Sequence, residues 1–267
     1  MEKNRFIEML NIIKKIKMDY FTKDLMPQYD ELISLARNEG YKIVTFRDAC
    51  LLKDEYKTGP DKYLIIRHDI DTAVYRAEDF LKIEKSYGCV GTYYFRLGML
   101  DIPLMKEIEF AGGEATYHFE EIASYAKEHH LYTREDIIPC LDIIREMFKE
   151  NLTQLRQKTS LPMVTVAAHG DFANVKLKMS NYELLTNDLR RELRIIGEAY
   201  DSNIKCRNNY ISDVAYGPGG WNSKYLKDAI IRGDKRIYFL THPRAWGACW
   251  LSNTYANFIR VYEGIRY

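Results

Sequence analysis

The feature that most constrains the fold is a regular alternation of strand-like and helix-like segments. Short runs rich in β-branched and aromatic residues, such as 63–67, 91–96 and 236–241, are separated by amphipathic segments such as 74–87 and 134–158. Strands that alternate with covering helices are typical of a parallel sheet. The pattern therefore predicts an α/β fold, with the sheet either open or closed into a barrel.

The remaining elements follow the same pattern. No internal repeat and no Pro/Gly/Ser-rich linker divides the chain, so we expect a single domain over 1–267. Its N-terminal helices, at about 1–40, are expected to pack on that domain. Further strands are predicted at 41–46, 114–117, 163–168 and 209–212, and further helices at 5–18, 28–39, 101–111 and 223–232.

Composition limits the classes of function. The chain has 39 Lys and Arg against 38 Asp and Glu, and a protein that wraps nucleic acid usually carries a large basic excess, so we expect no nucleic-acid partner. No apolar run approaches the ~18 residues of a membrane helix, and lysines interrupt the N-terminal apolar stretches, which excludes a signal-peptide core. The five cysteines are scattered without a CxxC pair, as is typical of a reducing compartment, so we expect a cytoplasmic protein.

Most of the histidines follow strand-like runs directly. Because the carboxyl ends of parallel strands meet at one edge of a sheet, we expect these residues to share one polar site. A single histidine at a strand end is usually a hydrogen-bonded structural residue, but carboxylates beside several of them favour a site. His129 and His130 lie in a polar stretch and are expected at the surface. The residues at strand ends are His68, His118, His169 and His242, with Asp213 placed in the same way.

The densest cluster of polar residues is Arg67-His68-Asp69-Ile70-Asp71, directly after an apolar strand. Carboxylates and neutral imidazoles are suitable ligands for Zn²⁺ and other divalent metals. A second carboxylate can act as base toward water that the metal acidifies. The structural alternative is that Asp71, which precedes a predicted helix, caps its N-terminus. The two roles are compatible, and the spacing alone does not decide between them.

Several motifs, in order, resemble a divergent branch of the polysaccharide deacetylase superfamily (carbohydrate esterase family four). That branch includes polysaccharide-locus proteins with His-Asp-Val-Asp in place of the usual Asp-Asp. The resemblance spans about 28–251 and is carried by RHDID, GTYYFR, EATYHFE, AAHGDFAN, YISDVAYGPGGWN and FLTHPRAW. It implies a deformed (β/α) barrel of about seven parallel strands, with one divalent metal ion, most often zinc, at its mouth. It also implies hydrolysis of an N-acetyl group on an amino sugar.

In the chemistry that the resemblance implies, a base Asp activates a water at the metal and a His protonates the leaving amine. Carried over by position, it makes Asp69 the base and Asp71 a metal ligand, although the intervening Ile70 leaves their order open. It makes His118 a second metal ligand. The family's further motif histidine, four residues later, is replaced here by Ile122.

The third ligand is therefore taken from elsewhere. Glu120 in the same motif and His169 after the next strand are the alternatives, and we favour His169 because it restores an Asp-His-His set. In the last two motifs, the resemblance makes His242 the general acid and Asp213 the residue that orients it. The family's arginine that holds the base is missing around His169, and Arg67 or Arg96 could replace it. The candidates for substrate binding are Arg67, Arg96, Glu120, Trp221 and Trp246.

We therefore expect a metal-dependent hydrolase that removes an N-acyl group from an amino sugar or sugar precursor in surface polysaccharide synthesis. Without an export signal, a small carbohydrate or a nucleotide-linked or lipid-linked sugar is the expected substrate. The alternatives are a hydrolase of another C–N bond, such as a formamide or cyclic amide, and an inactive carbohydrate-binding relative. The C-terminal segment NFIRVYEGIRY could serve a homodimer contact, although core packing is the favoured interpretation.

Overall fold

The structure is a computed structural model that describes residues 13, 15–205, 209–214 and 222–267. Its strands are β1 Lys42–Val44, β2 Tyr63–Ile70, β3 Thr92–Phe95, β4 Glu114–Phe119, β5 Thr165–Ala168, β6 Gly197–Glu198, β7 Tyr210–Ser212 and β8 Arg236–Thr241.

These strands form one sheet in the order β6-β5-β4-β3-β2-β8-β7, and β1 pairs beside the first half of β2. The pairs are parallel throughout. The sheet curls into a half-barrel, which confirms the predicted α/β fold with about seven parallel strands. Across the interior of the curl, the Tyr238 hydroxyl donates to the backbone oxygen of Ala199 at 3.1 Å.

Helices cover the outer face of the sheet. Short 3₁₀ turns at Leu97–Met99, Ile138–Cys140, Asn181–Leu184 and Pro243–Trp246 join several of them. The α-helices are α1 Met26–Asn38, α2 Phe46–Leu52, α3 Asp54–Thr58, α4 Val74–Ser86, α5 Ile102–Phe110, α6 Glu121–His129, α7 Arg134–Ile137, α8 Leu141–Thr159, α9 Phe172–Leu177, α10 Asn187–Glu192, α11 Lys224–Ile231 and α12 Trp250–Arg266.

Strand β2 lies in the middle of the sheet and is buried at every position. Its alternate residues Leu64, Ile66 and Ile70 pack in the core between sheet and helices, whereas Ile65 packs with Tyr238 inside the curl. Because side chains alternate between the two faces of a strand, each face of β2 carries its own polar residues. This alternation decides which of them reach the site.

Within the described residues, the N-terminal part of the chain packs on the outer face of the sheet. Helix α1 buries Tyr29, Leu32 and Ile33 in the main core, since they fall at helical spacing on one face. Residues 15–21 are also helical. The predicted helix at 5–18 falls mostly on residues 1–12, which lie outside the described part.

Two helix predictions need correction. The single helix predicted over 134–158 is interrupted, because Pro139 has no backbone N–H and ends the regular hydrogen bonding. The core packing favoured for the C-terminal segment holds for Tyr267, which is buried in the main core, but not for most of the segment's other apolar residues. Helix α12 exposes a stripe at spacings of three and four, with exposed fractions of 49–79%. Its members are Leu251, Tyr255, Phe258, Tyr262 and Ile265.

Among the described helices, none combines the length and the apolar character that crossing a bilayer requires.

Candidate metal centre

The carboxyl ends of five strands bring most of the predicted site residues to one mouth of the half-barrel. Strand β2 carries Arg67 and Asp69 and leads directly into Asp71, and β4 carries His118. His169 follows β5 directly, and His242 follows β8. Asp213 follows β7, the edge strand paired with β8.

Asp71, His118 and His169 form a compact group with one potential ligand atom each. Oδ1 of Asp71 lies 3.3 Å from Nε2 of His118 and 3.1 Å from Nδ1 of His169. The two imidazole nitrogens are 3.3 Å apart. Two nitrogens and one carboxylate oxygen form the kind of ligand set that zinc takes in proteins, with room for a further ligand at an open position.

The hydrogen bonding of His118 suits a metal ligand. Its Nδ1 donates to the backbone oxygen of Ala167 at 2.9 Å, which leaves Nε2 as the ring nitrogen that faces Asp71 and His169. A backbone partner on the second ring nitrogen is the usual way in which metal-binding histidines are oriented. Buried Oδ1 of Asp71 accepts no hydrogen bond in the described part of the chain. The residues present therefore fit a divalent cation.

The charges around Asp71 favour its ionised form. Burial acts to raise the pKa of this carboxyl, but the adjacent His169 and His118 outweigh it and hold the pKa well below its usual range. An ionised carboxylate is the form that binds a metal. Asp71 also does not cap helix α4: the N-cap is Ala73, and no side chain caps that helix. Asp71 is thus not the helix cap that the sequence offered as an alternative role.

The alternative third ligand, Glu120, is engaged differently. Arg96 donates two hydrogen bonds to its carboxylate, at 2.6 and 3.1 Å. Glu120 comes close to His169 and Asp171, but not to the other two members of the group. Ile122, at the position of the family's missing histidine, is fully buried in the core. The geometry therefore favours His169 over Glu120 as the third ligand.

Asp69, the candidate base, is held by Arg67 inside the half-barrel. Nε and Nη2 of Arg67 donate to Oδ1 and Oδ2 of Asp69, at 2.6 and 2.7 Å. Although burial acts to raise the pKa of Asp69, Arg67 and His118 lower it below the ordinary value. Oδ2 also lies 3.3 Å from Nε2 of His118. Asp69 is thus an ionised carboxylate directly beside the candidate ligands.

Arg67 itself is fully buried, which corrects its assignment to substrate binding. Its guanidinium carbon lies 4.5 Å from the Tyr200 ring centroid and 5.2 Å from that of Tyr94, so both aromatic faces enclose it. A cation in that position holds Asp69 rather than a ligand from solution. Of the two arginines considered for holding Asp69, the structure therefore places Arg67 against it, whereas Arg96 binds Glu120.

His242 and Asp213 form a second polar pair at the mouth. Oδ1 of Asp213 lies 2.7 Å from Nδ1 of His242, and Oδ2 accepts the backbone N–H of His242 at 2.6 Å. Burial lowers the pKa of His242, but Asp213 outweighs it and raises the pKa to about 9, with smaller contributions from Asp71 and Asp69. Nδ1 is therefore protonated toward Asp213, and the imidazole can carry a proton on Nε2.

Trp246 supports this pair from behind. Its indole N–H donates to Oδ2 of Asp213 at 2.9 Å, and its side chain is fully buried. It packs edge-on against Tyr29 and Phe80. This burial corrects the assignment of Trp246 to substrate binding, since the indole has no exposed surface that a substrate could contact. Trp221, the other aromatic candidate, lies outside the described residues.

His68 does not join the site, contrary to the expectation that all four strand-end histidines converge. It lies on the opposite face of β2, where Nε2 is 2.7 Å from Oε1 of Glu84 and Nδ1 is 2.6 Å from the Thr241 hydroxyl. Glu84 also accepts from the hydroxyls of Tyr29 and Tyr93, at 2.5 and 2.8 Å. The buried network ties β2 to β8 and α4 behind the site.

One supporting residue was missed by the sequence reasoning. Asn181 is fully buried and donates from Nδ2 to the backbone oxygen of His169 at 2.7 Å, while its Oδ1 accepts from Ala123 N–H at 3.1 Å. It fixes the backbone that presents His169. A single asparagine in a polar loop carries no pattern that would have identified it.

The chain was compared with models of known protein families, with curated proteins and with solved structures, and nothing matched in any of the three comparisons.

Proposed function

We propose that this protein is a metal-dependent hydrolase that removes an N-acyl group, most simply N-acetyl, from an amino sugar or sugar precursor. The observation that carries the proposal is that Asp71, His118 and His169 form a compact group of potential metal ligands beside groups that can transfer protons. Asp69 lies beside His118. His242, which is paired with Asp213, lies close enough to Asp71 and Asp69 for their negative charges to raise its pKa. The order of the motifs that resemble polysaccharide deacetylases supports the same proposal.

The cation that fits the three side chains would acidify water and polarise an acyl carbonyl. Asp69 supplies the carboxylate that takes the proton from the attacking water. Arg67 donates one hydrogen bond to each oxygen of that carboxylate, and these two bonds fix the orientation of Asp69. A base that is already oriented loses no free energy to reorganisation during the reaction.

His242 supplies the proton that the leaving amine requires. Asp213 fixes the proton on Nδ1, so Nε2 is the nitrogen that exchanges a proton with the substrate. The raised pKa keeps the imidazolium populated at neutral pH. A general acid at this position contributes about 10²–10⁴-fold to such a reaction. Amide hydrolysis needs this step because an unprotonated amine leaves poorly.

Within the proposal, the substrate is a small carbohydrate or a nucleotide-linked or lipid-linked sugar in the cytoplasm, made during surface polysaccharide synthesis. The free thiols at Cys50, Cys89, Cys140 and Cys249 fit a reducing compartment. Removal of another acyl group, such as formyl, would use the same residues.

The proposal is tested by elemental analysis of the purified protein together with acetate and formate release from N-acetylated and N-formylated amino sugars. We expect close to one equivalent of divalent metal in the wild type and its loss in Asp71→Asn and His118→Gln. His242→Gln should keep the metal but lose activity by about 10²–10⁴-fold.

The matched control is His129→Gln, which changes an exposed imidazole on α6 and should alter neither metal content nor rate. A wild-type protein that takes up no zinc, cobalt or manganese on reconstitution would overturn the proposal. Sugar binding without turnover in the metal-loaded protein would instead favour the non-catalytic relative.

A further inference from the structure

A surface groove with a volume of about 520 Å³ adjoins the candidate metal centre. It begins at the metal ligand His169, and Asp171, Phe172, Val175, Met179 and Arg260 are among the residues that line it. A substrate whose acyl group reaches His169 therefore has this groove beside it. The groove lies between helix α9 and the inner side of helix α12.

Arg260 is the cation of this groove. It follows Leu251 by nine residues, about two and a half helical turns, so it lies on the face of α12 opposite the exposed apolar stripe. In the part of the chain that the structure describes, its side chain forms no ion pair with a carboxylate, whereas Arg244 nearby is paired with Asp19. An arginine that lines a groove and has no ion-pair partner in the described part of the protein can bind an anion from solution.

Asp171, the carboxylate among the described residues of the lining, has other partners than Arg260. Lys127 binds Asp171 at 3.0 Å, and Asp171 also accepts the backbone N–H of Ala173 at 2.8 Å as the cap of α9. Asp171 is thus engaged by Lys127, which also binds Glu263 at 3.1 Å.

The rest of the lining suits a sugar ring. Val175 is 79% exposed, and Phe172 and Met179 add apolar surface next to it. Sugar rings have apolar C–H faces that pack on such surfaces, while guanidinium groups bind phosphate and carboxylate oxygens in a bidentate manner. The groove thus joins an apolar wall to a guanidinium that has no carboxylate partner among the described residues, beside the candidate metal ligand His169.

We infer that the substrate is an N-acylated sugar that bears an oxyanion, either phosphate or carboxylate. Arg260 binds this oxyanion in the groove, while the acyl group lies at Asp71, His118 and His169. The inference rests on the proposed function and adds the substrate class. An oxyanion on the sugar is what distinguishes such a substrate from a neutral polymer.

The test compares N-acetylglucosamine 1-phosphate with the neutral methyl glycoside of N-acetylglucosamine. We expect kcat/KM to be at least about tenfold higher for the phosphate, as one charge-assisted pair can provide. Arg260→Ala should remove that preference through KM, and Arg260→Lys should keep part of it. The matched control is Arg266→Ala on the same helix, where the guanidinium donates to the Tyr262 hydroxyl outside the groove. It should leave both substrates unchanged.

Binding of N-acetylglucosamine 1-phosphate, measured by calorimetry, separates this inference from the proposed function. Arg260-dependent binding without hydrolysis of either sugar would support the groove and overturn the hydrolase. Hydrolysis of both sugars at equal kcat/KM, with no effect of Arg260→Ala, would support the hydrolase and overturn the groove. An N-acetylated uronate and a prenyl-phosphate-linked sugar in detergent complete the series. The substrate whose preference depends most on Arg260 identifies the source of the oxyanion.

Discussion

Arg67 and Asp69, two residues apart on the inner face of one strand, form a bidentate ion pair that is almost completely removed from solvent. Pairing a guanidinium with a carboxylate in this way is stable only when both hydrogen bonds are made. The pair therefore fixes the orientation of the Asp69 carboxylate, the candidate base.

Arg67→Lys should lower both stability and activity. An ammonium keeps the charge but cannot make the two parallel hydrogen bonds, so one oxygen of Asp69 loses its donor. We expect a loss of about 1–3 kcal/mol in the free energy of unfolding, measured by denaturant titration, and at least a tenfold lower kcat. Arg232→Lys, in an exposed pair with Asp234, is the control and should change stability by less than about 0.5 kcal/mol. Equal denaturation midpoints for Arg67→Lys and the wild type would contradict this account.

Asp213→Asn should lower the pKa of His242, which can be followed by NMR in metal-free protein. In the wild type this pKa is raised from 6.5 to about 9, so the folded state binds the proton more tightly than the unfolded state. The resulting stability is fully present below pH 6.5 and is lost as the pH rises toward 9. The difference in unfolding free energy between wild type and variant should thus be larger at pH 6 than at pH 10, by on the order of 3 kcal/mol. A difference independent of pH would show that Asp213 does not control this proton.

Trp246→Phe tests the support behind Asp213. Phenylalanine keeps the aromatic packing against Tyr29 and Phe80 but removes the indole N–H that Asp213 accepts. We expect about 1–3 kcal/mol lower stability, because a hydrogen bond to a charged group is lost. Because His242 still donates to Asp213, kcat should fall only severalfold, with KM unchanged. Trp250→Phe, which alters a 65% exposed indole, should leave both kcat and stability close to wild type.

Glu114→Gln should change how stability depends on pH without touching the mouth of the half-barrel. Burial raises the pKa of Glu114 from 4.5 to about 7, against the hydrogen bonds from Thr165, Arg47 and Thr92. Between these values the folded state holds a proton that the unfolded state has released, so stability falls as the pH rises from 4.5 to 7.

The Gln variant should show a flatter profile over that interval, by on the order of 3 kcal/mol in total. Denaturant titrations at pH 5 and pH 8 measure it. Glu135→Gln, at an exposed position, should reproduce the wild-type slope. A slope unchanged in Glu114→Gln would show that another group releases the proton.

The fold could be predicted from sequence where burial itself shapes the pattern. The apolar runs at 63–67 and 236–241 mark the central strands β2 and β8, because strands buried on both faces contain few polar residues. Strand β6 was missed, since Gly197–Glu198 is too short to carry a pattern and is defined only by its pairing with β5. The break at Pro139 was also missed, although proline is a local signal.

The site could be predicted only in part, because the side on which a strand residue lies depends on where the strand ends. His118 and His169 were identified from their positions at strand ends, and the structure places both beside Asp71. His68 was expected in the same place because the predicted strand ended at residue 67. In the structure β2 continues to Ile70, so His68 is a strand residue that faces away from the mouth. The burial of Trp246 depends on the packing of α1 and α4 and has no local signature.

The alternation along β2 has a consequence for how this chain can vary. Arg67 and Asp69 form an ion pair inside the curl, and His68 between them belongs to the network with Glu84 on the outside. A single-residue insertion or deletion in this strand would exchange the two sets, placing an imidazole in the mouth and a carboxylate against the helices. The strand Tyr63–Ile70 should therefore be more sensitive to a change of length than to a conservative substitution. In a deletion-scanning library, functional clones should be depleted across this strand far more than across the exposed turn at 130–133.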